Sequence, residues 1–312
     1  MSGKKVQAKM FQAKSTAADR LMQSEIGGVG EEETFRDLMR RMARENKTAV
    51  VSFFLIVAMV LAALLAPLLT PYEENEMDLL HRLSAPSGEH LLGTDEGGRD
   101  VLTRLLYGAR VSLLIGVVPA LLSLILGAVL GVAAGYKGGL TDAFIMRVAD
   151  VTLAFPSMLL AMVIMYALGG GILNVFLTLT LVNWANVARV VRSQTLKLKN
   201  CEFVEAARII GVSRDRIMRR HILPNCLPTL LVLFTLNIPA SILTESSLSF
   251  LGLGIQPPNA SWGLMISTGR QYLYNAPWLC FAPGVAIMLT VLAFNFLGNG
   301  LLDVLDPRQK KQ

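Results

Sequence analysis

A chain of 312 residues with 53% hydrophobic and 17% charged residues and a mean hydropathy of +0.51 lies outside ordinary soluble composition. Aromatic residues make up only 7%, so the apolar excess comes from Leu, Val, Ala, Ile and Met, which fill helices surrounded by lipid. A soluble enzyme and a disordered tail protein are excluded, and the net charge of +6 calls for no nucleic-acid partner once Lys and Arg are counted loop by loop.

Residues 1–47 precede any apolar run. The first 34 or so mix Lys, Gln, Ala and Gly with Glu31-Glu32-Glu33 without periodicity, which reads as a cytoplasmic, mobile N-terminal tail. The uncharged run 48–72 begins after this charged segment and exceeds a signal peptide's apolar core, so residues 48–70 read as a retained first anchor. An acidic extracytoplasmic loop follows over 71–108, with Glu73, Glu74, Glu76, Asp78, Glu89, Asp95, Glu96 and Asp100. Its His81 and His90 show no metal-ligand spacing, and the loop reads as a docking surface or a cap.

Further uncharged runs cover 111–136, 151–188, 222–244 and 271–302, where one span needs roughly 20 residues. The run 151–188 is too long for one crossing, and Gly169-Gly170-Gly171 offers a place to turn a helical hairpin. Six transmembrane helices are therefore predicted, an anchor plus a five-helix core over 109–303, ending in a cytoplasmic tail over 304–312. The runs are too long and continuous for barrel strands, so the fold class is an all-α integral membrane protein. Residues 246–269 are broken by Gly252, Gly254 and Pro257-Pro258 and read as an extracytoplasmic loop with short helices. Gly127, Gly131 and Gly135 recur on one face of the second span, a small-residue stripe read as packing within the chain. Arg147 and Asp150, three apart, are read as an ion pair.

The tail before the first span, the turn around 136–147, the loop 189–226 and the C-terminal tail together hold 24 of the 29 Lys and Arg residues, which places both termini and that loop in the cytoplasm. Cys201 and Cys226 then fall on one side and Cys280 near the other, so free thiols are expected. The loop 189–226 is patterned as a helix-turn-helix. Glu202 to Ile210 is a helical run, Gly211 can take a left-handed conformation at its end, Ser213 can cap a second helix with Arg219, Arg220 and His221 in its last turn, and Pro224 is expected to stop it.

Glu205-Ala206-Ala207, Gly211, Ile217 and His221-Ile222-Leu223-Pro224 at this spacing resemble the coupling loop of membrane subunits of ABC importers. Ala66-Pro67-Leu68, Leu92-Gly93-Thr94-Asp95, Gly98-Arg99-Asp100-Val101, the run from Arg104 to Arg110, Ala154-Phe155-Pro156 and the run from Ser249 to Gly254 look like the dipeptide/oligopeptide permease branch, in particular its second permease subunit. The resemblance covers about Phe35 to Arg308. Asn299 and Leu302 depart from the acidic and basic residues expected around Gly300.

The resemblance implies the type I ABC importer permease fold, with Glu205, Ala206, Ala207, Gly211, Ile217, His221, Leu223 and Pro224 as the surface that meets the ATPases. It further implies a homologous second permease subunit, two cytoplasmic ATPase subunits and an extracytoplasmic substrate-binding protein. No phosphate loop of the Gly-x-x-x-x-Gly-Lys-Ser/Thr kind occurs in the chain. The expectation is a non-catalytic subunit that binds no cofactor, ATP and Mg belonging to its partners, in a bacterial or archaeal cytoplasmic membrane. Asn237, Ser241 and Glu245 form a polar stripe on the fifth span, and Asn183 and Asn186 a pair on the fourth; these are the candidate lining of the translocation path, the alternative being hydrogen bonding between helices. Glu245 leads them, because a carboxylate inside a membrane usually faces a water-filled space or a partner charge. Uptake of dipeptides or oligopeptides is the expected function. Nickel or another small solute is the alternative, since related permeases keep the scaffold and change the binding protein. A membrane-embedded hydrolase would need a histidine or paired carboxylates within a span, and none is present.

Single cysteines at Ser2, Ser87, Gly170, Ser213, Asn259 and Gln309, in a background lacking native cysteines, test the orientation. Only positions 87, 170 and 259 should react with a membrane-impermeant thiol reagent in intact cells; labelling at 213 would invert the topology.

Overall fold

Asn46 opens the first helix by accepting the Ala49 N–H on its side-chain oxygen at 3.2 Å, and from there regular structure is helical throughout the described residues. The structure is a computed structural model and describes residues 46–305; the tails expected over 1–47 and 304–312 lie almost wholly outside them. Helix α1 (Lys47–Leu64) passes into the single turn α2 (Ala66–Leu69), where Pro67 sits in the first turn, a position that needs no N–H. Asp100 then caps α3 (Val101–Lys137), its Oδ2 accepting from Thr103 N at 2.8 Å. At 37 residues, α3 is about 55 Å long against a hydrocarbon layer of about 30 Å. Helix α3 therefore begins inside the segment assigned to the loop 71–108, because a capping carboxylate starts it nearly three turns before the apolar run at 111. Arg110 closes this end by donating from Nε to Ala63 O at 2.6 Å and from Nη2 to Leu64 O at 3.0 Å, satisfying carbonyls freed at the end of α1.

The long run 151–188 does turn back at the glycine cluster, where Gly169 and Gly171 have φ of 83° and 128°. Its first half is not one straight span. Helix α4 (Gly139–Ala154) and α5 (Ser157–Leu168) meet at 94°, because Pro156 forces Phe155 into an extended conformation, φ −89° and ψ 141°. Helix α6 (Ile172–Leu198) returns along α3. After the short helices α7 (Glu202–Ile209) and α8 (Arg214–Ile217) come α9 (Leu223–Phe250), α10 (Trp262–Gly269) and α11 (Trp278–Leu305). Four stretches are long and apolar enough to cross a membrane, namely α1, α3, the continuous Arg214–Phe250 and α11, with the bent pair α4–α5 as a fifth. Where six spans were expected, the structure gives these four, or five with the bent pair; α6 falls short of the same test because Asn174, Asn183, Asn186, Arg189 and Arg192 dilute its apolar residues.

The glycine stripe is packing within the chain. A Cβ on Gly131 would lie 2.6 Å from Ala188 O and 2.8 Å from Val191 Cβ, and one on Gly127 or Gly135 would meet Val187 or Thr195 equally closely. The backbones of α3 and α6 touch because no side chain separates them. At the far end of the chain Asn46 Nδ2 donates to Asp303 Oδ2 at 3.1 Å, so the start of α1 and the end of α11 lie side by side. The segment between α2 and α3 folds onto its own chain. Asp95 accepts from Gly97 N, Arg99 N and Arg99 Nε at 2.7–3.0 Å, and Trp278 Nε1 donates to Thr94 O at 3.3 Å. The three cysteines are free thiols.

Gly131→Ala should overpack the α3–α6 seam and cost about 1–3 kcal/mol, seen as a lower thermal midpoint of the purified protein. Gly284→Ala on α11, where a Cβ meets nothing within 4 Å, should leave the midpoint unchanged or raise it.

Candidate functional site

The loop between α6 and α9 divides into residues that anchor and residues that face outward. Val204 and Ala207 of α7, with Ile217 and Ile222, are buried against Val132 and Tyr136 of α3, Val187 and Val191 of α6, and Cys226 and Leu230 of α9. Glu205, Ala206, Ile209 and Ile210 point away, the last two being 85% and 79% exposed. Of the eight residues assigned to coupling, Glu205, Ala206, Gly211 and Pro224 are exposed, Ala207 and Ile217 are buried, and His221 and Leu223 are half-buried. Helix α6 runs to Leu198 and the continuous stretch begins at Arg214, so both ends of the segment 189–226 are helical and only the residues between them leave these two helices.

Gly211 takes φ +81°, the left-handed conformation expected of it. Its N–H reaches Arg208 O at 3.1 Å and the N–H of Val212 reaches Ala207 O at 3.0 Å, the paired bonds of a Schellman cap, with Val212 packed into the same cluster as Ala207. Nothing lies within 4 Å of a Cβ at this position, so the backbone angle alone requires glycine. Two local expectations differ. Ser213 stands at the cap of α8 but its side chain makes no capping hydrogen bond. Pro224 does not stop the helix; a π turn over Met218–Ile222 widens the coil ahead of it, and Pro224 falls in the first turn of α9 without blocking the coil. Asn225 Nδ2 donates to His221 O at 2.5 Å in that turn.

At the other end of the same helix, Glu245 is fully buried. Its Oε1 accepts from Ser249 Oγ at 2.6 Å and from Ser261 Oγ at 3.1 Å, so among the described residues it faces neither open space nor a basic partner. The two serines pass its influence on. Ser249 Oγ accepts from Ile255 N at 3.2 Å and Ser261 Oγ accepts from Leu264 N at 3.1 Å, capping α10. One carboxylate thereby fixes both ends of the loop that joins α9 to α10, while Gly263 admits its second oxygen, Oε2, 3.1 Å from where a Cβ would stand. Ser241 is also buried, Asn237 and Asn183 are half-buried, and Asn186 is exposed. Among the described residues no hydrogen bond joins the stripe on α9 to the pair on α6.

The charge pairing of α4 was not legible in sequence. Asp150 pairs with Arg189 of α6 at 2.8 Å rather than with Arg147, since Arg189 reaches across the gap between the two helices. Asp142 is held by Arg192 through Nε at 2.5 Å and Nη2 at 2.6 Å; partners 50 residues apart follow no helical spacing. His81 and His90 bind Asp78 and Asp100 at 2.6 and 2.9 Å. The Asp78 bond raises the His81 pKa and lowers that of Asp78. No group of three or more metal-ligating side chains occurs among the described residues.

Residues 127–311 match the family described as "Binding-protein-dependent transport system inner membrane component", and residues 34–86 match the "N-terminal TM domain of oligopeptide transport permease C". The chain is 42% identical to the oligopeptide transport system permease protein OppC of Bacillus subtilis (strain 168), over 89% of this chain and 90% of that one. A putative peptide transport system permease protein of Brucella suis biovar 1 is 47% identical over 89% and 92%. The dipeptide transport system permease protein DppC of Alkalihalophilus pseudofirmus is 44% identical over 86% and 89%. Among solved structures, the MetNI methionine ABC transporter in inward facing conformations aligns with TM-score 0.52 at 18% identity, covering 65% of this chain and 96% of that one, a likeness of fold.

Glu245→Leu leaves two buried serine hydroxyls without their shared acceptor and should cost about 1–3 kcal/mol, measured as a drop in the thermal midpoint of the purified protein. Glu245→Gln keeps an acceptor oxygen and should retain most of the stability; equal losses in both would show that the hydroxyl bonds do not hold the loop.

Proposed function

The chain belongs to the family of binding-protein-dependent transport system inner membrane components, and on that premise we propose that it forms half of the pathway of an importer for dipeptides and oligopeptides. It is a membrane permease subunit and not the subunit that hydrolyses ATP. The peptide substrate is supported by the oligopeptide, peptide and dipeptide transport functions in the names of its relatives. A homologous permease pairs with it, two ATPase subunits with ATP and Mg bind at the α7–α8 end, and an extracytoplasmic binding protein delivers substrate at the other. Both termini are cytoplasmic in this arrangement, and the Asn46–Asp303 contact supports one side for both by bringing the start of α1 and the end of α11 together.

The observation that carries the reading is the division of the loop into an anchored and a presented half. Glu205, Ala206, Ile209 and Ile210 stand outward on α7, while Val204, Ala207 and Ile217 lock it to α3, α6 and α9. Exposed Ile209 and Ile210 beside Glu205 make an apolar and acidic surface suited to a cleft in another protein. A push on that surface is delivered directly to the helix that begins at Arg214. Ser241 and Glu245 lie on this helix toward its other end, and the path assigned to Asn183, Asn186, Asn237, Ser241 and Glu245 requires α10 to part from α9 before the last two meet substrate.

Gly211→Val forces a β-branched residue into the left-handed region at a cost of about 1–2 kcal/mol and should swing α7 out of line. Glu205→Lys reverses a charge on the presented face. Both variants should insert normally, retain less ATPase on purification and lose coupled uptake in vesicles. Wild-type ATPase retention, binding-protein-stimulated hydrolysis and uptake in both variants would overturn the assignment.

A further inference from the structure

Behind the presented surface, where α7 and α8 meet the ends of α3 and α6, lies a cavity of about 440 Å³ lined by Tyr136, Lys137, Lys199, Arg208, Ser213 and Arg214 among others. That volume is within the range of small-ligand sites, roughly 300–1,000 Å³. Four of its walls carry positive charge and none carries an acid. None of the four cations is in a salt bridge among the described residues, and Asp142 on the neighbouring α4 is already taken by two nitrogens of Arg192. Lys199 Nζ stands 5.7 Å above the Tyr136 ring, and the Ser213 hydroxyl is not used for capping. Four cations lining one cavity without a salt bridge favour an anion there, and a phosphate group with several acceptor oxygens suits Lys, Arg and hydroxyl donors together.

The level of the cavity identifies the source of that phosphate. The uncharged run of α3 ends at Tyr136, and Lys137 is the first charge after it, the aromatic-then-basic order of a membrane boundary. An apolar groove of about 380 Å³ lies between α3 and α9, walled by Ile125, Val129, Leu227 and Leu231 among others. Val129 and Tyr136 are seven residues apart on one face of α3, about 10 Å along its axis, within reach of an acyl chain whose headgroup sits in the cavity. We propose that the basic cavity between the coupling loop and the end of α3 binds the phosphate of an anionic phospholipid, whose acyl chain lies along the α3–α9 groove. The lipid would then brace the back of α7 against the membrane. This inference needs the membrane boundary but not the orientation, so it stands or falls separately from the topology and coupling experiments.

The test uses the assembled transporter in nanodiscs of phosphatidylcholine with graded phosphatidylglycerol, followed by native mass spectrometry of retained lipid. The unmutated complex and Lys137→Arg/Lys199→Arg should hold phosphatidylglycerol with similar half-saturation, and Lys137→Gln/Lys199→Gln should need roughly thirty-fold more, as expected for two basic groups lost near an anionic headgroup. A photoreactive phosphatidylglycerol added to the unmutated complex should label peptides covering 130–140 or 196–214, a result that does not depend on any variant assembling. Equal retention by the Arg and Gln variants, or labelling confined to other peptides, would overturn the proposal. Inorganic phosphate that binds the complex in phosphatidylcholine alone and blocks phosphatidylglycerol retention only at concentrations far above the lipid's would support the lipid as occupant; phosphate that binds tightly while phosphatidylglycerol is not retained would replace the lipid with a soluble anion.

Discussion

The helix that runs unbroken from Arg214 to Phe250 joins the two ends of this molecule, and most other features make sense as ways of keeping it continuous. A helix in lipid must satisfy its own backbone groups, yet this one contains Pro224, Pro228 and Pro239. The π turn ahead of Pro224 lets the chain pass from the short α8 into α9 without a break. Had Pro224 ended the helix, the short α7 and α8 would have hung on a flexible joint. As built, α7 is packed against α9 through buried side chains, and α8 shares one continuous helical axis with α9.

Both ends of that helix are secured by buried contacts of different kinds. At the α7 end the fastening is apolar, with Ile217 and Ile222 fully buried among Val132, Val187 and Val191. At the Glu245 end it is polar. A carboxylate away from water is costly unless hydrogen-bonded, and here Ser249 and Ser261 both donate to Oε1 while organising the turn into α10, leaving Oε2 without a donor among the described residues. Non-directional packing leaves the outward face of α7 free of hydrogen-bond demands, whereas directional bonds hold the turn into α10 in one geometry.

The remaining helices form a frame around this one. Three glycines let α6 press against α3 at backbone distance, and two ion pairs fasten α4 to α6. The bend at Phe155-Pro156 turns α5 away from α4, and the outer segment is folded about Asp95 and the Trp278 contact to Thr94 rather than hanging free. The hydrophobic residues left outside these contacts, such as Phe54, Leu68, Val163 and Phe281, face outward in the single chain, as expected where lipid or another subunit is the surrounding medium.

Features governed by neighbours in the chain were legible in the sequence. Uncharged runs located the apolar helices, the glycine cluster at 169–171 located the hairpin, and Gly211 took the left-handed cap conformation because that preference is intrinsic to a residue without a Cβ. The family resemblance rested on the same short-range patterns. Contacts between distant segments were beyond that reach. Asp150 chose Arg189 over the closer Arg147, Glu245 met Ser261 across a loop, and four cations from three separate segments came to line one cavity; each depends on which faces packing brings together. Pro224 marks the boundary between the two kinds of knowledge. Its missing N–H was plain in the sequence, but whether it would break the helix or begin a new length of it was decided by the widened turn ahead of it and the buried contacts of Ile217 and Ile222 that hold the two parts in line.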